Sequence, residues 1–211
     1  MRLRHALTLC VGLILFATSP GLAKNDALTV ERYIEPVKAI TDIVTGPRHT
    51  NVNLTNLSPD RTQFLIVDTG GLPALADFAR PHYNLGGVQI DPIANRARTM
   101  TTRGSVAMSL FNWRERRSTD VKIPSGATFT GATWSTSGKQ IAFIANFENA
   151  SYVYVADTAT GNSRRLSSSP LLATSVNSIE WTSVGKWIVA VLVPENRGVA
   201  PTPNPVPTEP L

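Results

Sequence analysis

The chain has 211 residues, with 20 Lys or Arg against 15 Asp or Glu and a formal charge of +5. That length supports one substantial core. The basic clusters Arg114-Glu-Arg-Arg117 and Arg164-Arg165 are mixed with acid or isolated, the pattern of a solvated face, so nucleic acid is not an expected partner. Cys10 is the only cysteine and falls in the N-terminal leader, which leaves the rest of the chain no disulfide and no thiolate metal site.

Residues 1–23 read as a secretory signal. Arg2, Arg4 and His5 form a basic start, Ala6 to Ala17 is almost wholly apolar, and Gly21-Leu22-Ala23 places small residues at a cleavage site. The apolar stretch is short for a membrane span, and no other segment is long and apolar enough to cross a bilayer. Cleavage would remove two arginines and no acid, bringing the charge from +5 to +3. The expected location is periplasmic or extracellular.

Residues 24–50 read as an N-terminal arm, in which Val30 to Ile43 predicts a short helix interrupted by Pro36. Residues 51–196 read as β-structure, and residues 197–211 as a Pro-rich loop or tail, since Gly198 to Leu211 carries five prolines.

Within the β-region one stretch recurs. Trp134-Ser-Thr-Ser-Gly-Lys-Gln-Ile-Ala-Phe143 aligns with Trp181-Thr-Ser-Val-Gly-Lys-Trp-Ile-Val-Ala190 at an offset of 47 residues, and a weaker copy is Leu57-Ser-Pro-Asp-Arg-Thr-Gln-Phe-Leu-Ile66. Each copy places a tight turn after an apolar strand residue. Pro59 presets φ, Asp60 bonds nearby amides, and Gly138 and Gly185 permit the positive φ that reverses the chain. After the second copy, Ile141, Phe143 and Ala145 fall on one face of a strand, with Ala142 and Ile144 on the other. Both faces are apolar, so this strand is expected to be buried on both sides. The run Trp187 to Val193 has the same character. Repeats of this size, rich in turns and without helical periodicity, predict an all-β fold: a partial β-propeller of about four WD40-like, TolB-like blades. The 77 residues between Leu57 and Trp134 imply a degenerate blade or an insertion.

Three stretches together resemble the N-terminal propeller of secreted prolyl oligopeptidase-like serine peptidases, in their glutamyl-endopeptidase-like branch. They are Tyr33 to Ile43 running to Leu57-Ser-Pro-Asp60; Leu72 to Asn95, "LPALADFARPHYNLGGVQIDPIAN"; and the blade Trp134 to Ser168 followed by Trp181 to Pro194. The resemblance implies a propeller that filters substrates for an α/β-hydrolase domain with a Ser-Asp-His triad. No G-x-S-x-G nucleophile elbow occurs in these 211 residues, so no catalytic residue is carried over. The chain is therefore expected to be a substrate-gating fragment, silent on its own, meeting peptide or protein substrate through the missing domain. The alternative is a stand-alone exported TolB-like propeller that binds protein.

The remaining candidates read as structural. His49 and His82 have neither a second histidine nor a carboxylate at ligand spacing, so no metal site is expected. Asp60, Asp68 and Asp91 could be paired acids, but Asp60 and Asp91 adjoin Pro in turn-like settings that suit backbone capping. Trp134 and Trp181 sit at repeat positions and are expected between blades. Trp113, beside Arg114, is left as a surface contact. Gly70-Gly71 and Gly86-Gly87 lack dinucleotide spacing, no cofactor is expected, and binding residues remain unassigned. Asn53-Leu-Thr and Asn149-Ala-Ser are formal glycan acceptors. An open blade edge is expected to promote self-association.

Overall fold

The computed structural model describes residues 36–45, 49–73, 75–98, 104–174 and 176–198. The leader and the Pro-rich tail from residue 199 lie outside these residues. The described part is mostly β. A short helix, α1 (Lys38–Thr45), begins two residues after Pro36, where the missing amide of proline is harmless. It precedes strands β1 (His49–Leu57) and β2 (Gln63–Thr69).

A helix of five residues, α2 (Leu75–Ala79), and a small antiparallel sheet follow: β3 (Tyr83–Leu85), β4 (Val88–Asp91) and β5 (Arg96–Ala97). The chain then returns as β6 (Ser105–Asn112) and β7 (Arg117–Val121). Since β1, β2, β6 and β7 pair in that order, all antiparallel, the segment between β2 and β6 is an insertion into one four-stranded meander. This accounts for the 77-residue offset between the first and second turns.

The second meander is uninterrupted: β8 (Thr128–Trp134), β9 (Gln140–Asn146), β10 (Ser151–Asp157) and β11 (Ser163–Arg165). In strand pairing it meets the first at Ser105 and Phe129 alone. A third repeat starts with β12 (Glu180–Trp181) and β13 (Ile188–Val189). The described residues thus hold two complete four-stranded repeats and part of a third, against the four blades expected. The apolar run Trp187 to Val193 forms only two ladder residues, with a bridge from Leu192 to Leu171. No closed ring is present among the described residues.

The sheets stack face to face. Leu65, Met108, Leu110 and Val121 of the first repeat pack against Phe129, Ile141, Phe143 and Ala145 of the second. Ala142, Ile144, Val153 and Val155, on the second repeat's other face, pack against Leu171, Ala173 and Ile179, with Trp181 and Ile188 of the third alongside. Strand β9 is therefore buried on both faces, as its alternation requires. Phe143 meets Phe129 edge-on at 5.9 Å and stacks on Tyr154 at 5.8 Å.

The three turns share one geometry. Ser58 N donates to Gln63 O at 3.0 Å, Ser135 N to Gln140 O at 2.8 Å and Thr182 N to Trp187 O at 2.9 Å. In each, the side-chain oxygen of that Ser or Thr also accepts from the amide that closes the turn, that of Gln63, Gln140 or Trp187. The left-handed position is held by Gly138 (φ 69°) and Gly185 (φ 70°), and in the first repeat by Arg61 (φ 57°).

Candidate functional site

The insertion is fastened to the second repeat by buried charge. Asp91 sits at the end of β4 and its two oxygens are fully used. Oδ1 accepts from the amides of Ile93 (2.9 Å) and Ala94 (3.0 Å), and Oδ2 meets Arg80 Nη2 at 2.9 Å. Arg80 also reaches the turn between β9 and β10, donating to the Glu148 carbonyl at 2.9 Å and pairing with its carboxylate at 3.2 Å. Arg96, in β5, donates to the Phe147 carbonyl at 2.6 Å in the same turn. Burial pulls the Arg96 guanidinium below its usual range, Asp91 opposes that and Arg80 adds to it. It stays charged at neutral pH, since arginine starts so far above it. Backbone bonds complete the latch: Ala97 N to Ala173 O and Ala173 N to Asn95 O.

Between this latch and the meanders lies an open cleft of about 1190 Å³. Thr128, Thr130 and Ala132 of β8 form one wall, with Ile144 and Asn146 of β9 beside them; Arg80, Asp91 and Arg96 line the insertion side, next to Glu148 of the β9–β10 turn. Strand β8 is paired along β9, but on its other edge only at Phe129, so the wall ends in a largely unpaired strand. Gly131 (φ 64°) marks a register shift between Thr130 and Thr133. The walls of the cleft mix these hydroxyls and paired charges with apolar side chains, among them Ile144, Phe147 and Ile179. Asp91 is committed to two amides and a guanidinium, which leaves it poorly suited to act as a general base.

The other sequence candidates fall elsewhere. Asp60 lies in the first turn, where Oδ1 accepts from Ser58 Oγ at 2.6 Å and from Thr62 N at 3.1 Å. These bonds, that from Ser58 first, hold its carboxyl below the ordinary value. His82 Nδ1 lies 3.1 Å from the Arg80 carbonyl. The backbone of His49 opens β1, and its side chain lies outside the description.

Trp134 Nε1 donates to Asn56 O at 3.3 Å and Trp181 Nε1 to Thr133 O at 3.2 Å. Both are half-buried between repeats, as expected. Trp113 is 45% exposed, with Arg114 over its ring and Nε1 on the Arg61 carbonyl. The residues missed from sequence were Arg80, Arg96 and Glu148. Arg80 lies inside the quoted stretch Leu72 to Asn95, and Arg96 directly follows it.

Comparison with known proteins points in one direction. A probable glutamyl endopeptidase of Arabidopsis thaliana chloroplasts is 32% identical over 205 residues, which is 92% of this chain and 21% of the relative. A probable chloroplastic glutamyl endopeptidase of Oryza sativa subsp. japonica is 28% identical over 189 residues, 84% of this chain and 20% of that protein. The chain is a distant homologue of one fifth of a peptidase. No family model matches it.

Proposed function

We propose that this chain is the N-terminal propeller portion of an exported prolyl oligopeptidase-like serine peptidase, in which stacked four-stranded repeats screen peptides on their way to a hydrolase domain outside these 211 residues. The observation that carries the reading is the extent of the similarity: 92% of this chain aligns with 21% of a glutamyl endopeptidase. The fold agrees, since sheets stacked face to face with equivalent turns are how propeller blades associate. The cleft beside β8 then lies along the substrate's route, and the buried Arg80–Asp91 pair keeps the inserted sheet in place over it.

The nucleophile, base and oxyanion donors of the peptidase would belong to a domain outside these 211 residues. Sequencing the gene beyond the Leu211 codon tests this, together with a fluorophosphonate serine probe on two products. A reading frame that continues into a G-x-S-x-G segment should yield a long product that labels, while the 211-residue chain stays unlabelled. Specific labelling of a serine in the short chain would overturn the proposal.

A further inference from the structure

We infer that the third repeat presents a docking face for a fourth repeat that carries an aromatic donor, an indole N–H or a phenol O–H, with the Glu180 carbonyl as acceptor and Val189 and Val191 as the apolar contact. This rests on the repeat architecture proposed above, and not on peptidase activity.

Two junctions define the rule. At each, the aromatic residue before the turn donates to the carbonyl just ahead of the equivalent position in the preceding repeat: Trp134 to Asn56 O, and Trp181 to Thr133 O. At each, the left-handed glycine of the turn sits over the second turn residue of the preceding repeat. A Cβ on Gly138 would lie 3.4 Å from Pro59 Cδ, and one on Gly185 would strike Thr136 Oγ1. The same step carried forward once more selects the Glu180 carbonyl and Ser183.

Burial shows the same succession. The turn hydroxyls Ser58 and Ser135, each beneath a following repeat, are buried, while Thr182 is only partly covered. Leu65 and the partly buried Val67 face the second repeat, and their counterparts Ala142 (0% exposed) and Ile144 (1%) face the third. Strand alternation and the turn alignment place Val189 and Val191 at the positions of Ala142 and Ile144, yet they are 63% and 39% exposed. Two β-branched residues in that register, with Trp187 next to them, form an apolar sheet face that the described residues leave largely open.

A second copy of the chain is a poor cover for chemical reasons. Its first repeat has Leu57 where the other two have Trp, so it has no N–H to offer the Glu180 carbonyl. A repeat with a donor is what fits, and the relatives, roughly five times longer than the matched portion, have room for one.

The test supplies the missing donor to the full chain. Leu57→Trp and Leu57→Tyr each give the first repeat a donor, Leu57→Phe gives bulk without one, and near-ultraviolet circular dichroism confirms which variants fold. Sedimentation velocity should show either donor variant associating at least tenfold more tightly than the parent. The Phe variant should match the parent, and Ser183→Trp, which blocks the pad, should cancel the gain. Parent association as tight as that of the donor variants would make a second copy the occupant and overturn the inference. Equal association of Phe and Trp variants would overturn the donor rule, and folded donor variants that stay monomeric would overturn the docking face itself.

Discussion

Replacing Gly161 by alanine tests whether neighbouring repeats touch through backbone. Gly161 has φ 71° in the turn between β10 and β11, and a Cβ there would drive into the carbonyl oxygen of Asp120, in β7 of the first repeat. Gly126 provides the control, with φ 74° and nothing within 4 Å of its Cβ position. Placing alanine in the left-handed region costs about 1–2 kcal/mol at either site. At Gly161 the clash must also be relieved. Asp120 is paired with Ser109, and Lys122 N donates to the Gly161 carbonyl at 2.8 Å, so relief sacrifices at least those bonds at about 1 kcal/mol each. The expected loss is therefore about 1–2 kcal/mol for Gly126→Ala and about 3–4 kcal/mol for Gly161→Ala. Urea denaturation followed by tryptophan fluorescence measures both, with the difference read from the midpoint at unchanged slope. Losses equal within about 0.5 kcal/mol would show that the turn and β7 do not meet, and the stacking of the first two repeats would need revision.

Three further outcomes are expected. Arg80→Ala removes the ion-pair partner of the buried Asp91 carboxylate, leaving Arg96 as the remaining nearby cation, and should cost about 3 kcal/mol locally; hydrogen exchange should rise in β3 to β5, while unchanged protection there would remove the latch. Trp134→Phe deletes one inter-repeat hydrogen bond and should lower stability by about 1 kcal/mol, read by thermal melting, and a neutral result would mean the indole bond contributes nothing. The carboxyls of Asp60 and Asp157 are held low, the first chiefly by Ser58, the second chiefly by the Thr160 amide. Because the folded values are depressed, their contribution is full above the unfolded value near 4 and disappears as pH falls through the folded one. The melting temperature should therefore drop below about pH 4, less steeply in a double Asp60→Asn, Asp157→Asn variant; identical profiles would refute the assignment.

Local chemistry made much of this fold readable. The alternation of Ile141, Phe143 and Ala145 against Ala142 and Ile144 required a strand covered on both faces, and both hydrophobic clusters use it. The turn motif was equally legible, because a hydroxyl, a left-handed position and a closing amide are neighbours in the chain. Arg61 in place of glycine weakened the first copy in sequence without altering its hydrogen bonds. The spacing left a degenerate blade and an insertion as alternatives, and could not choose between them because β3 to β5 are two to four residues long and resemble no other segment of the chain. The latch was hidden for a different reason: Arg80 and Glu148 are 68 residues apart, and nothing local to either one announces the other. The run Trp187 to Val193 looked like a full strand by composition. Its ladder is short because Leu172, Val193 and their neighbours draw residues 191–193 toward 170–172 instead.

The direction of the indole bonds bears on how the molecule is made. At both junctions the donor comes later in the chain than its acceptor, by 78 residues for Trp134 and 48 for Trp181. A ribosome releases the acceptor first, so each indole emerges to a carbonyl already made, whereas Arg80 and Arg96 of the insertion must wait for residues 147 and 148. Assembly of such a stack can keep pace with synthesis from the N-terminal side, and a circular permutation that placed residues 128–198 ahead of residues 49–121 would reverse that order at the Trp134 junction while leaving it intact at Trp181.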